Sequence, residues 1–258
     1  MVASVVFSDF VLKLEEVISA VVRAAAPLSW DEDHITYSLL SAVRTTLNGA
    51  HIVGLHRPCK FAAQAYKLRG TGENLYGDIA VLVRLTSWDS EVLEGVGFLE
   101  AKKRSLAPPT FEAFKIAQAR RITRSASRAQ LLLYDSADIT GFADNIPLLI
   151  HPYGWFHFLV PKTHALCTPL STAVHVGRCT PSLYKYGLPL SIQLACRFLR
   201  AFDLEFGTAP LAAAQGAAEV AGGVKYVLSV GVSLADEGEP VLPEVRANVY
   251  DVLRETAA

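Results

Sequence analysis

Two carboxylates and an ammonium stand out in the stretch GDIAVLVRLTSWDSEVLEGVGFLEAKKR, residues 77–104. Asp78 opens one Val/Ile/Leu-rich run, and Glu100-Ala101-Lys102 closes the next. Side chains alternate faces along a strand, so Glu100 and Lys102 share one face while Leu99 and Ala101 take the other. In an antiparallel hairpin, pairing Asp78 with Glu100 centres the turn near Asp89, inside the polar segment TSWDSEVLE. All three charges then meet at one end of a sheet. Two carboxylates held close in a core repel and lose hydration. A hard divalent cation relieves that conflict, and Mg²⁺ takes one or two carboxylates while keeping several waters. Mn²⁺ is expected to substitute for it. Such a metal activates water and polarises a phosphoryl oxygen. Lys102 would deprotonate or orient that water, or stabilise charge in the transition state. The chemistry expected is phosphodiester hydrolysis. The plainer reading of the same three charges is a strand-end ion pair on a solvated edge.

The elements that must position these residues follow from periodicity. Residues 8–26 carry Phe10, Leu14, Val17, Ile18, Val21 and Val22 at helical spacing, and Pro27 ends the run. A second helix should start within PLSWDEDHITYSLLSAVRTTL, where Ser29 and Glu32 have capping-box spacing and Ile35, Leu39, Leu40, Val43 and Leu47 form a stripe. Strands are expected over 62–68, 78–85 and 96–102. A helix is expected in FEAFKIAQARRITRSAS on Phe111, Phe114, Ala117 and Ile122, followed by the strand Gln130–Tyr134. This order, α-β-β-β-α-β, predicts an α/β fold with a mixed central sheet flanked by helices. Beyond residue 145 the pattern suggests strands at 148–150 and 155–160, a helix over 191–204, helix or loop over 209–223, a strand over 225–234 and a closing helix over 243–256. Residues 1–145 are expected to form the core, with 146–258 an α+β elaboration packed on it rather than an independent domain.

Gly77-Asp78, a gap of about twenty residues, and Glu100-Ala101-Lys102 at the end of an apolar strand resemble the PD-(D/E)xK nuclease superfamily. Its shared core has the α-β-β-β-α-β order, and the resemblance covers residues 29–135. Gly77 replaces the proline of the motif's name. The resemblance implies that Asp78 and Glu100 are metal ligands, that the main-chain carbonyl of Ala101 is a further ligand, and that Lys102 is the catalytic lysine. Many members add an acidic residue from the first core helix. Glu32 is the candidate, with Asp31 and Asp33 as its neighbours in register and a plain capping role as its alternative. Some branches use a glutamine in a Q-x-x-x-Y pattern. Gln118 suits that place, although position 122 is Ile. By the habit of the family the substrate is DNA.

Charge distribution points the same way. From Arg57 to Arg128 there are thirteen Lys/Arg against seven Asp/Glu, in a chain whose formal net charge is −1. Lys103 and Arg104 follow the motif, and Arg120, Arg121 and Arg124 lie along the next helix. Basic residues so placed read as phosphate contacts or, singly, as a solvated helix face. The 258 residues, 51% of them hydrophobic and 19% charged, allow a large core. Four scattered cysteines, no signal-peptide pattern and no apolar run of spanning length predict a cytoplasmic protein with no membrane partner. The histidines lack zinc-site spacing, and neither a Walker loop nor a G-x-S-x-G elbow is present. These readings together predict an Mg²⁺-dependent DNA endonuclease of restriction or antiviral-defence type. The alternative is a non-catalytic nucleic-acid-binding or assembly subunit that keeps the fold. A homodimer would suit two-strand cutting, and a sensor or activator protein is a further expected partner.

Overall fold

A computed structural model describes residues 4–53, 58–70, 75–111, 114–142, 160–217, 223–234 and 238–253. The apolar stripe of the first helix is realised in α1 (Phe7–Ala25), which buries Phe10, Leu14, Ile18 and Val22. Short β1 (Ser4–Val6) precedes it. Helix α2 (Glu32–Leu47) buries Ile35, Leu39, Leu40, Val43 and Leu47, the stripe expected of it. Its start differs from expectation. Asp31, not Ser29, is the N-cap, and its side chain accepts from the amides of Asp33 and His34 at 3.0 and 3.2 Å. Aspartate is among the best N-cap residues, and capping at Asp31 releases Glu32 from the capping box.

Among the described residues a mixed ten-stranded sheet follows, flanked by helices. After β2 (His51–Val53) come β3 (Cys59–Leu68), β4 (Ile79–Thr86) and β5 (Val92–Lys103). Helix α3 (Ile116–Ser125) then leads to β6 (Gln130–Ile139). From α2 to β6 the chain follows the expected α-β-β-β-α-β order with one strand added, the three-residue β2 between α2 and β3. Strand β7 (Thr163–Pro169), α4 (Leu170–Val176) and β8 (Leu188–Pro189) continue the chain. Next comes an irregular helical stretch: α5 (Leu190–Ile192), a π-helical turn (Gln193–Arg197) and a 3₁₀ turn (Phe198–Arg200). It occupies most of the 191–204 helix expected from sequence and stops at Ala201, whose φ is 62°. Helix α6 (Thr208–Gln215), β9 (Tyr226–Ser233) and β10 (Tyr250–Val252) complete the order. The strand expected over 148–150 lies outside the described residues, as does all but Val160 of the strand expected over 155–160, and Val160 itself is not in a strand.

Strand β4 pairs antiparallel with β5, from Ile79↔Leu99 to Thr86↔Val92. That is the register which pairing Asp78 with Glu100 requires. Ser87 and Glu91 close the turn through a 2.8 Å backbone bond. Strand β6 lies parallel to β5, with Lys102 opposite Leu133. The larger surprise is β9. This strand from the C-terminal part of the chain lies between β3 and β4, antiparallel to the first and parallel to the second. Every residue of β9 is buried, as is β4 from Ile79 to Val83. Burial on both faces makes such strands read as continuous apolar runs. Residues beyond 145 thus supply the centre of the sheet as well as its margin.

Two expected helices need correction. Helix α3 begins at Ile116 rather than near Phe111, which instead forms an isolated antiparallel bridge to Arg104. The closing helix over 243–256 is absent among the described residues. Instead, Tyr250–Val252 pairs with the end of β3, and the Leu253 amide donates to the Ala65 carbonyl at 2.8 Å.

Candidate active site

Gly77 turns the chain into β4 and sets the position of Asp78. Its φ is +108°, and a Cβ there would lie 2.8 Å from the Leu99 carbonyl oxygen. Only glycine meets both demands cheaply. Proline, fixed near φ −65°, cannot stand here, which accounts for the departure from the motif's name. The Asp78 amide donates to the Leu99 carbonyl at 2.9 Å, and its Oδ2 accepts from the Ala101 amide at 2.9 Å. Asp78 is therefore clamped across the end of β5.

Glu100 is only 4% exposed, in the last buried stretch of β5. Its Oε1 accepts from Lys102 Nζ at 3.1 Å and from Gln118 Nε2 at 3.2 Å. Its Oε2 is buried and has no hydrogen-bond partner. Burial, together with the neighbouring Asp78 charge, pushes the Glu100 carboxyl up to about 7, against the opposing pull of Lys102. Lys102 Nζ also donates to the Ala101 carbonyl and lies 3.7 Å from Glu32 Oε1. Burial disfavours the ammonium, but Glu100, Glu32 and Asp78 outweigh it and raise the Lys102 pKa. The lysine is a cation in this arrangement.

Asp78, Glu100, Lys102, Glu32 and Gln118 are thus brought together, with the Ala101 carbonyl among them. Glu32 reaches the cluster because it occupies the first turn of a helix capped by its neighbour Asp31. A bond from the Trp30 indole to the Arg104 carbonyl, 2.7 Å, ties that helix entry to the end of β5. The oxygen donors suit Mg²⁺, and the buried, unpartnered Glu100 Oε2 is the atom a cation would satisfy. Among the described residues no three His, Cys, Asp or Glu side chains form a ready metal cage. Two carboxylates and a carbonyl suit an ion that retains several waters. Lys102 Nζ bonds to the Ala101 carbonyl and to the other Glu100 oxygen, Oε1, so a metal that takes the carbonyl must displace it.

The comparisons with known proteins are silent. No protein-family model matches the chain, and neither a curated protein nor a solved structure is significantly similar to it.

A second cluster adjoins the first and was not singled out from sequence. Asp33, one residue after Glu32, pairs with Lys225 at 2.7 Å and Lys67 at 3.1 Å, and accepts from the Tyr226 hydroxyl at 2.5 Å. Burial opposes its ionisation, but these donors prevail and hold the Asp33 carboxyl at about 2. Lys67 also lies over the Tyr226 ring, 5.3 Å from its centroid, within cation–π range. A small hollow lined by Glu32, Asp33, Thr36, Asp78, Lys225 and Tyr226 joins the two clusters. Local periodicity marks Lys225-Tyr226 as a strand start, but only the insertion of β9 beside β4 brings it here.

The basic residues divide. Arg120, Arg121 and Arg124 are exposed along α3, and Lys103 is half-buried at the end of β5. Arg104 differs from expectation. Its guanidinium donates to Asp135 Oδ2 and to the Pro109 carbonyl, both at 2.9 Å. Asp135 is 3% exposed and also accepts from the Tyr184 hydroxyl at 2.7 Å. A buried carboxylate holds Arg104 as a structural counter-ion in place of the expected phosphate contact. No helix among the described residues is long and apolar enough to cross a membrane.

Proposed function

We propose that this chain is an Mg²⁺-dependent nuclease with a restriction-endonuclease-like core, hydrolysing phosphodiester bonds in DNA. The observation that carries the reading is the convergence of Asp78, Glu100 and Lys102 on the end of β5, with one Glu100 oxygen buried and unpartnered. Asp78, Glu100 and the Ala101 carbonyl would hold the ion. When bound, Mg²⁺ supplies charge neutralisation and polarises the phosphate.

The chain's own residues account for the rest. Asp78 stays aimed because the Ala101 amide donates to it. Gln118 orients Glu100 from α3. Lys102, released from Glu100 and the Ala101 carbonyl, donates to the attacking water or to a phosphate oxygen in the transition state. Its raised pKa makes it an electrostatic stabiliser and hydrogen-bond donor more readily than a proton acceptor. Arg120, Arg121 and Arg124 extend a positive surface from the helix that also carries Gln118, which supports a polyanionic substrate.

The test is cleavage of supercoiled plasmid with Mg²⁺, in the wild type and Lys102→Ala, with EDTA as control. Nicking or linearisation that requires metal and Lys102 supports the assignment. Calorimetric Mn²⁺ titration of the wild type and Asp78→Ala tests the site itself. Intact DNA and no metal binding by either protein would sink the proposal. Metal binding without cleavage of DNA or RNA would point to a non-catalytic nucleic-acid-binding subunit. The restriction or defence role, a DNA-cutting homodimer, a sensor or activator partner, and a cytoplasmic location belong to the same proposal.

A further inference from the structure

At the other end of the central strands lies a cavity of 380 Å³ that the carboxylate site does not use. It is lined near the ends of β4 and β9 by Leu85, Val232 and Leu234, whereas Asp78 and Tyr226 mark the beginnings of those strands. Leu85 lies six residues beyond Ile79 along β4, roughly 20 Å at ~3.3 Å per residue. The two sites are therefore separate. The volume falls within the roughly 300–1,000 Å³ common for small-molecule sites.

The lining has a definite chemistry. Its floor consists of buried side chains, among them Phe10, Cys59, Phe61, Ala195 and Leu199. The rim carries Trp88, 61% exposed, and Phe202, 52% exposed. Large aromatic residues at such exposure mark a surface adapted to contact. Arg200, half-buried, is the one charged residue in this lining among the described residues. It lies close enough to Cys59 for its charge to act on the thiol. Burial still pushes that thiol up to about 11, so Cys59 is wall rather than nucleophile. One cation over an apolar, aromatic-lined cavity complements a molecule with a single anionic head and a hydrocarbon body.

We propose that this cavity binds a small amphiphilic carboxylate, a medium-chain fatty acid in type, with its chain against Phe10, Phe61 and Leu199 and its carboxylate on Arg200. A guanidinium suits the carboxylate by geometry and charge, and the chain gains by leaving water.

Calorimetric titration of the full chain with decanoate, and with neutral 1-decanol, tests the site. Decanoate should bind with one-to-one stoichiometry. Arg200→Gln should weaken decanoate by about ten-fold, the loss of one charge-assisted hydrogen bond, and leave decanol unchanged. Ala195→Phe, which fills the cavity, should remove both. Should that variant fail to fold by circular dichroism, the rim change Phe202→Ala carries the test through a several-fold weakening of both ligands. No decanoate binding by the wild type would overturn the proposal. So would binding that neither Arg200→Gln nor a folded cavity variant alters.

Discussion

Lys102 Nζ lies 3.1 Å from Glu100 Oε1 and also bonds to the carbonyl of Ala101, the residue between them. The ammonium thus sits on the Ala101 carbonyl and on one oxygen of the Glu100 carboxylate, two of the groups assigned to the metal, and acts as a resident cation. Metal binding must overcome this pair and then the repulsion of a lysine held nearby. Lys102→Met should therefore bind Mn²⁺ more tightly than the wild type, by roughly ten-fold on the scale of one screened charge interaction, while losing cleavage. Calorimetry on the two proteins checks this. Equal or weaker binding in the variant would show that Lys102 does not compete for those oxygens.

Gly77 provides a backbone test of the same site. Its φ is +108°, and a side chain's Cβ would stand 2.8 Å from the Leu99 carbonyl oxygen, so alanine must shift the chain. Gly77→Ala should cost about 1–3 kcal/mol of stability, the range for a strained backbone conformation. It should also disturb the bond from the Ala101 amide to Asp78, weakening Mn²⁺ binding. Urea denaturation measures the first effect and calorimetry the second. A variant with wild-type stability and metal affinity would remove Gly77 from the positioning of Asp78.

How much of this is legible in the sequence depends on how local each cause is. The β4–β5 register follows from alternation and the polar turn, so Asp78 and Glu100 can be placed together across 22 residues of chain. The buried stripes of α1 and α2 are equally local. The position of β9 is not. Its residues announce a strand, but nothing in them says that the strand enters between β3 and β4. The Asp33–Lys67–Lys225 cluster depends on that entry and is hidden with it. The helix expected over 243–256 fails for another reason. Val245, Val249 and Leu253 recur at helical spacing, yet they pack on the core from irregular chain, from a turn and from the residue after a short strand. Periodicity reports burial, and extended chain can supply it too. For α2, a shift of two residues in the cap changes the role of Glu32.

The basic residues yield a prediction that separates architecture from substrate contact. Removing Arg104 strands the buried Asp135 carboxylate, leaving it the Tyr184 hydroxyl and the Ala137 amide. Breaking such a pair costs about 3–5 kcal/mol, and Arg104→Ala should lose an amount at the lower end, because Arg104 retains some solvent contact. Arg120→Ala, Arg121→Ala and Arg124→Ala should each leave stability within about 0.5 kcal/mol. They should instead weaken DNA binding and lower its salt dependence by close to one counterion apiece. Thermal melts and filter binding across salt concentrations distinguish the two groups. Salt slopes equal to the wild type's in all three α3 variants would remove α3 from the interface.

Glu15 gives the pH dependence of the fold at a point remote from the carboxylate cluster. Its side chain is 7% exposed and accepts from Ser191 at 2.6 Å and Ser19 at 2.7 Å. Burial is the dominant influence and raises its pKa above the ordinary 4.5, with the serines and nearby His164 pulling the other way. Above pH 4.5 the unfolded chain releases this proton before the folded one does, so the folded state holds more protons. Stability then falls as pH rises through the interval between the two pKa values. Glu15→Gln keeps the shape without the titration, and Ser191 and Ser19 can each still find a partner on the amide. The variant should therefore gain on the wild type as pH is raised from 5 to 8, read as a widening difference in Tm. Parallel Tm profiles across that range would show that Glu15 ionises no differently in the folded chain than in the unfolded one.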